Sequence, residues 1–599
     1  MPQIEISNIE YLVIVGYLIL IVFVGIIFKK FSSNTDDYFK SGTKGSWWLV
    51  GTSAFMSAFS AWTFTGAAGV AFESGFSVMI IFLGNAFGFF LNFVFLGPWL
   101  RQMRVTTFPE AISKRFGETT RNFYALFEVP IRTLYAAMAL YGLGIFCSAV
   151  FGYNIYHVII LSGIIVLFYS ATGGRWAVMA TDFLQGLILI PLTIIIAWLC
   201  VSQLGGIDSM FEQIEAQGLT EEFSMINSAT LFGGAYTWGW ASAMVTKGFF
   251  VFNSMYAGPR YFSVKDGREA RKAALLASFL FLVGGLIWFL PPITARLLYS
   301  EEVMALGISK PAEAAYAIAS VNLLPTGLIG LIVVAILTAT MSSVDTGLNN
   351  NVAILIKDIY PKLSRKFKWA PKSEAQLLRY GRLYTWVMGI LIIFLALYIA
   401  GQKGKGIFEI MLDIGALLLI PIQIPLMWGL FIRKTPSWAA LFSIACAFTV
   451  SLMAFLNVPL SYLGFPADST WTFQVKFFGV LAAGTLGFLL SIPFAPALGS
   501  PHRNMVDKFI TNMKTPIDFK TEVGAANDLA QLKVIGRFGL TVSAFIALML
   551  IIPNPIGGRV AIAALALIIG GISLLMMKAG SKAPRLLCCL LYTSDAADE

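Results

Sequence analysis

The chain has 599 residues, 57% of them hydrophobic and only 12% charged, with a mean hydropathy of +0.77. Soluble domains carry about 25% charged residues, so the composition excludes a soluble multidomain chain and leaves one large membrane domain. The net charge of +10 does not mark a nucleic-acid binder: Lys and Arg sit in short clusters between apolar runs, as loops on the cytoplasmic side of a bilayer do.

Spanning a hydrocarbon core of about 30 Å takes about twenty apolar residues per helix. About fifteen such runs follow one another, at 9–28, 46–72, 76–101, 121–151, 155–172, 175–201, 238–257, 272–298, 323–357, 376–400, 405–432, 437–456, 473–497, 534–552 and 559–578. They predict an all-α polytopic membrane protein. The first run follows acidic Glu5 and Glu10 and lacks a small-residue cleavage site, so it reads as a retained helix rather than a signal peptide.

Basic loops follow the odd-numbered runs, with Lys29, Lys30, Lys40 and Lys44 after the first, Arg101, Arg104, Lys114, Arg115 and Arg121 after the third, and Arg260, Lys265, Arg268, Arg271 and Lys272 after the seventh. The alternate loops are poor in Lys and Arg, and 203–236 is acidic. The expectation is an N-terminus outside and a C-terminus in the cytoplasm. Residues 586–599 turn abruptly from Cys588-Cys589-Leu590-Leu591 to an acidic end and are set aside as a tail.

Polar side chains within apolar runs are costly and so mark function. In 46–72, Thr52, Ser53, Ser57, Ser60, Thr63 and Thr65 lie among small residues and lead to Gly66 and Gly69. Such a helix either unwinds to turn carbonyls on a cation or packs closely through its small residues. A Gly173-Gly174 turn leads to Thr181, Asp182 and Gln185. Asp182 needs a cation, a proton or donors, unless it is only a cap-proximal acid helped by the helix dipole.

The run Thr338, Thr340, Ser342, Ser343, Asp345, Thr346, Asn349, Asn350 and Asn351 offers oxygen ligands suited to a hard cation such as sodium, the alternative being hydroxyls that only bond back to the previous turn and bend the helix, against which the density of polar side chains speaks. Lys247 is placed to hold a substrate carboxylate, to pair with an internal acid or to snorkel. Asp413 shares 405–432 with Gln423, Pro421 and Pro425, which break that helix, and the acid lies either in a cavity or at a solvated outer end. Five Cys and two His show no spacing for a metal centre or a disulfide framework.

Several motifs in order resemble the sodium:solute symporter family: Asp37-Tyr38-Phe39 with Trp47-Trp48, Thr107-Phe108-Pro109-Glu110 with Lys114-Arg115-Phe116-Gly117, Gly173-Gly174 with Thr181-Asp182 and Gln185, Arg260 with Lys265, Glu269 and Ala270, and Ser342-Ser343 with Asp358-Ile359-Tyr360. The resemblance runs from about residue 36 to 435 and implies a LeuT-like core of two inverted five-helix repeats, 46–201 and 238–432.

Around that core lie 1–45, with an extra helix, the acidic loop 202–237, and 433–585, with further helices and a cytoplasmic loop at 498–533. The resemblance also implies discontinuous helices at 46–72 and 238–257, with sodium as coupling ion. Its ligands would be the carbonyls of Met56, Phe59 and Ala339 and the hydroxyls of Ser342 and Ser343. Asp182, with Asp345 or Thr346, would serve an additional sodium site. Ser60, Thr63, Asn85, Lys247, Asn253 and Asp413 are the candidate solute contacts.

Where sugar-transporting members carry a polar pair in the first core helix, this chain has Trp62-Thr63. Lys247 falls where an amide is expected and Phe250 where a gating Tyr sits, which favours a carboxylate or zwitterion over a sugar. The expected activity is import of a small organic solute by alternating access. Its rivals are a proton-coupled transporter using Asp182 or Asp345 as carrier, a sensor module, for which 498–533 is too short to hold a signalling domain, a channel, and a membrane enzyme, for which no acid/base pair or metal cluster is found.

Overall fold

A computed structural model describes residues 7–29, 45–57, 59–105, 107–170, 175–227, 234–308, 310–369, 372–402, 406–466, 469–522 and 528–581. The motif residues 37–39, Gly173-Gly174 and the tail 586–599 lie outside them. The described chain is helical almost throughout, with one isolated β-bridge between Gly45 and Val264. Among the described residues, ten helical runs are long and apolar enough to cross a membrane, and three shorter apolar helices accompany them.

Most predicted runs correspond to observed helices, among them Asn8–Lys29, Glu118–Phe151, Arg175–Gln203, Leu328–Ile354 and Glu374–Ala400. The differences have local causes. The run 46–72 is three pieces, Trp47–Ser57, Ala61–Phe64 and Gly66–Ser74. The run 238–257 is also interrupted within its span: the helix Trp238–Asn253 ends at Ser254, in extended conformation, and the chain resumes in the short turns Met255–Ala257 and Gly258–Tyr261.

In 405–432 the irregularity is a π-helical turn, Gly415–Leu419, between Ile407–Ile414 and Ile420–Phe431. Pro421 has no N–H to give, and its ring crowds the preceding turn; the wider turn just before it absorbs the mismatch, as π-bulges near functional sites do.

The Leu328–Ile354 helix forms the centre, with nearly all its residues buried, and packs on Glu118–Phe151, Arg175–Gln203 and Asn8–Lys29. Trp238–Asn253 packs on Met79–Leu91, where a Cβ on Gly248 would lie only 2.4 Å from the Gly84 carbonyl, so the two backbones meet through bare glycine.

Glu10, 1% exposed, closes the start of the central helix: its two carboxylate oxygens accept the N–H groups of Gly327 (2.7 Å) and Gly330 (2.5 Å). These are donors that the first helical turn leaves unpaired. Replacing Glu10 by Ala strands both in a buried place, at a cost of about 2 kcal/mol. The expected result is a lower midpoint of thermal unfolding in detergent, while Glu10→Gln keeps most of it.

On the face bearing the basic loops, the amphipathic helix Pro501–Lys514 buries Val506, Phe509, Ile510 and Met513. Arg104 anchors the segment after it, reaching Glu522 at 2.7 Å and the carbonyls of Asn512, Thr515 and Pro516 at 2.8 to 3.1 Å. Residues 498–522 thus form a strap docked on this face.

Candidate functional site

The break in the first core helix is built from small and hydroxyl residues. After Ser57, the Phe59 N–H turns back to the Met56 carbonyl (3.1 Å), and Ser60 is extended (φ −154°, ψ −179°). The Ser60 hydroxyl accepts the N–H of Trp62 and so caps the next turn. The central helix passes beside this gap: the Ala61 N–H donates to Thr340 Oγ1 at 3.2 Å.

Ser343 Oγ then lies 3.3 Å from the Phe59 carbonyl and 3.3 Å from the Ala339 carbonyl. Oxygens held about 2.4 Å from a hard cation, and at right angles, lie about 3.4 Å apart. Ser343 Oγ thus stands from each of these two carbonyls at a distance that two oxygens around a hard cation would keep. The Met56 carbonyl borders the same gap. Ser342 is turned the other way, with its hydroxyl on Asp182.

Asp182 is fully buried and accepts from Ser53 Oγ at 2.6 Å as well as from Ser342. Ser53 in turn accepts from Arg260 Nη1 at its carbonyl (2.8 Å) and hydroxyl (2.9 Å). This chain of contacts ties the first core helix, Arg175–Gln203, the central helix and the Gly258–Tyr261 turn together. Asp345 does not share in it through any of these bonds. It accepts from Asn349 at 3.0 Å, about one turn, or 5 Å, farther along the central helix than Ser342, and Thr346 lines the cavity.

A cavity of about 430 Å³ opens beside the break. Of the six candidate solute contacts, Ser60, Asn85 and Lys247 line it. The other three do not. Thr63 is buried with its hydroxyl unpartnered, Asn253 is buried with its amide on the Gly88 carbonyl (2.9 Å), and Asp413 lies in a separate cavity, ion-paired with Lys476 at 2.6 Å. Phe250 is buried against Trp428 rather than gating, and Tyr256 takes a place on the cavity wall.

Sequence reasoning missed Arg132, Tyr135, Tyr256 and Arg260 as wall residues. Arg132 pairs with Glu128 one turn back and lies 5.1 Å from the centre of the Tyr256 ring. Lys247 differs from both arginines. Among the described residues it makes no hydrogen bond or ion pair, and its Cε lies 3.7 Å from where a Cβ on Gly415 would stand, a point 3.8 Å from the Tyr135 hydroxyl.

The second cavity, about 350 Å³, approaches from the face of the acidic loop and is lined by Gly66, Glu73, Tyr236, Glu313, Phe408 and Asp413, among others. Leu412 lines both cavities, and between them Trp62 stacks on Phe408 with centroids 6.1 Å apart and planes 19° apart. The two cavities thus lie beside the two halves of one broken helix and are parted by Trp62, Phe408 and Leu412. Among the described residues no three His, Cys, Asp or Glu side chains converge as a metal centre.

Comparison with known proteins agrees. The fold matches a sodium-coupled sialic acid symporter captured in a substrate-bound outward-open state, with a TM-score of 0.68 at 22% identity over 82% of this chain and 100% of that one. It also matches a transporter of the nucleobase–cation symport-1 family, with a TM-score of 0.50 at 14% identity over 80% and 99%. The chain thus shares the all-α polytopic fold of these two transporters.

The sodium:solute symporter family model matches residues 38–446, and the chain belongs to that family. Its relatives include the sodium/sialic acid symporter NanT of Aliivibrio fischeri, 25% identical over 74% of this chain and 87% of the relative. The sodium/glucose cotransporter of Vibrio parahaemolyticus is 25% identical over 76% and 86%, and the sodium/proline symporter 2 of Staphylococcus saprophyticus 26% over 66% and 76%. The protein is therefore an integral membrane, sodium-coupled secondary transporter and not an enzyme.

Proposed function

We propose that the protein imports a small carboxylate or zwitterion together with sodium by alternating access, across a bacterial inner membrane with its N-terminus outside. The observation that carries this reading is the placing of Ser343 Oγ between the carbonyls of Phe59 and Ala339, which joins the broken helix to the central one. Met56, Phe59, Ala339, Ser342 and Ser343 would hold sodium, with Ser342 turning from Asp182 as the ion enters. Asp182, with Ser342, and Asp345 with Thr346 farther along the helix, are the candidates for a second ion.

The repeats are read as 46–201 and 238–432 within a total of about fifteen spans. Sodium bound at the break pulls its two halves against the central helix. This organises Ser60 and the cavity wall beyond it, where Lys247 takes the carboxylate and Asn85 lines the same cavity. Because the ligands share one coupling free energy, the solute tightens sodium by the same factor as sodium tightens the solute. Each positive charge carried inward gains about 2.3 kcal/mol per 100 mV of membrane potential. A neutral sugar would leave the Lys247 charge without a counter-ion, which favours the anionic class.

The test is uptake into proteoliposomes of a panel of labelled amino acids, carboxylates, sialic acids and sugars, driven by a sodium gradient or by a proton gradient alone. The expected result is accumulation of a carboxylate or zwitterion with sodium only. Accumulation driven equally by protons, and lost in Asp182→Asn, would replace sodium by a proton carrier at Asp182.

A further inference from the structure

Glu313 opens the segment Pro311–Leu323 on the wall of the 350 Å³ cavity. It is only 5% exposed, and it accepts a 2.6 Å hydrogen bond from the backbone N–H of Ile407, the first residue of the Ile407–Ile414 helix. Two glycines make its room: a Cβ on Gly406 would lie 2.5 Å from Glu313 Oε1, and a Cβ on Gly69 3.2 Å from its Cγ. One side chain thus meets three elements: its own segment, the outer half of the broken helix at Gly66–Ser74, and the start of Ile407–Ile414. The residue after Ile407 is Phe408, which stacks on Trp62 between the two cavities.

We infer that Glu313 is the positioning residue of the gate on this face: it holds the Ile407 turn against Gly69, so that Phe408 covers Trp62 and closes the solute cavity. The inference rests on the reading of this face as external, and not on the identity of the solute. Opening the gate must draw Ile407 away from Glu313 and let water reach the carboxylate.

That exposure makes the gate sensitive to pH. The groups facing Glu313 are Lys310 of its own segment, Glu73 of Gly66–Ser74, Glu409 of Ile407–Ile414 (3.6 Å from Lys310) and Tyr141 of Glu118–Phe151, with Tyr236 on the same cavity wall and the Arg296–Glu222 pair beyond Glu73. Burial lifts the Glu313 carboxyl to about 7 against the opposing pull of the Ile407 and Phe408 N–H groups and Lys310, and Glu73 adds to the rise. In the open gate, with water around it, the carboxyl returns toward the ordinary carboxylate range. The closed gate therefore binds the proton more tightly, and opening becomes easier as pH rises through about 7.

The experiment uses the full chain carrying Met411→Cys, a position on the wall of the solute cavity but not of the outer one. Labelling by a membrane-impermeant thiol reagent is followed without sodium, near pH 6 and pH 8, in right-side-out and inside-out vesicles. Each rate is divided by that of a free thiol with the same reagent at the same pH, because only the thiolate reacts and its fraction rises with pH; with Glu313 intact, the labelling from outside so corrected should quicken with pH. Glu313→Ala should speed it about tenfold or more at both pH values, and Glu313→Gln, which keeps an acceptor for the Ile407 N–H, should leave it slow and independent of pH.

A Glu313→Ala rate equal to the parent's, or a pH response that survives in Glu313→Gln, overturns the inference; if the Ala variant does not fold, the Gln variant decides. The same Glu313-dependent pattern seen only in inside-out vesicles keeps the positioning role and overturns the external assignment of the face.

Discussion

Replacing Lys247 by Met is expected to abolish high-affinity uptake of the carboxylate substrate while leaving the protein folded. The methionine keeps the length and apolar stem of the lysine. The ammonium it removes has no hydrogen bond or ion pair among the described residues, so no internal partner is left stranded. A bound carboxylate would be stranded, because the cavity's two other cations are engaged, Arg132 with Glu128 and Arg260 with Ser53. Taking away one partner of a buried ion pair costs about 3–5 kcal/mol, which is a loss of about a hundredfold or more in apparent affinity.

The measurement is the concentration dependence of uptake for the acid and for its uncharged amide. The amide should be transported no worse by Lys247→Met than by the parent. A neutral sugar carried equally by both proteins, with no carboxylate carried by either, would remove Lys247 from the site.

The second large effect is expected in Ser343→Ala. This change deletes the hydroxyl lying between the Phe59 and Ala339 carbonyls and leaves everything else at the break in place. A hydrogen-bonding oxygen directed at a full charge contributes about 1.5–3 kcal/mol, so half-saturation should need about ten to a hundred times more sodium. By reciprocity, solute affinity at a fixed low sodium concentration must fall, and at saturating sodium it must recover. Ser343→Thr, which keeps the oxygen, should retain most of the coupling.

How far the sequence carries can be judged from these same residues. Helix positions were legible because the bilayer demands about twenty apolar residues per span, and Glu118–Phe151 and Glu374–Ala400 lie within a few residues of their expected runs. The break at Ser60 was only partly legible: the cluster of small and hydroxyl residues there fits an unwound helix and a closely packed one alike, and the family resemblance pointed to the first. The direction of individual side chains was not. Thr63 lies three residues from Ser60 yet is buried away from the cavity, because the chain re-enters its helix at Ala61 with a phase that the break resets.

Asn253 carries the same polar signal as Asn85, and only the packing of Trp238–Asn253 on Met79–Leu91 shows that its amide closes on the Gly88 carbonyl instead. Asp413 pairs with Lys476, 63 residues away in sequence, which no local pattern announces. Arg260 escaped notice as a wall residue because a cation after a helix is first read as a topology signal. Arg132, well inside Glu118–Phe151, was not singled out, and its place on the cavity follows only once the helices are assembled.

The central claim, that sodium bound at the helix break drives the solute, is tested most directly by the sodium dependence of solute uptake into proteoliposomes, parent against Ser343→Ala, at fixed membrane potential. The account predicts one saturable sodium curve for the parent and the same curve displaced to about ten- to a hundredfold higher sodium for the variant, with maximal uptake restored at saturation. Superimposed curves, or uptake indifferent to sodium in both proteins, would contradict it.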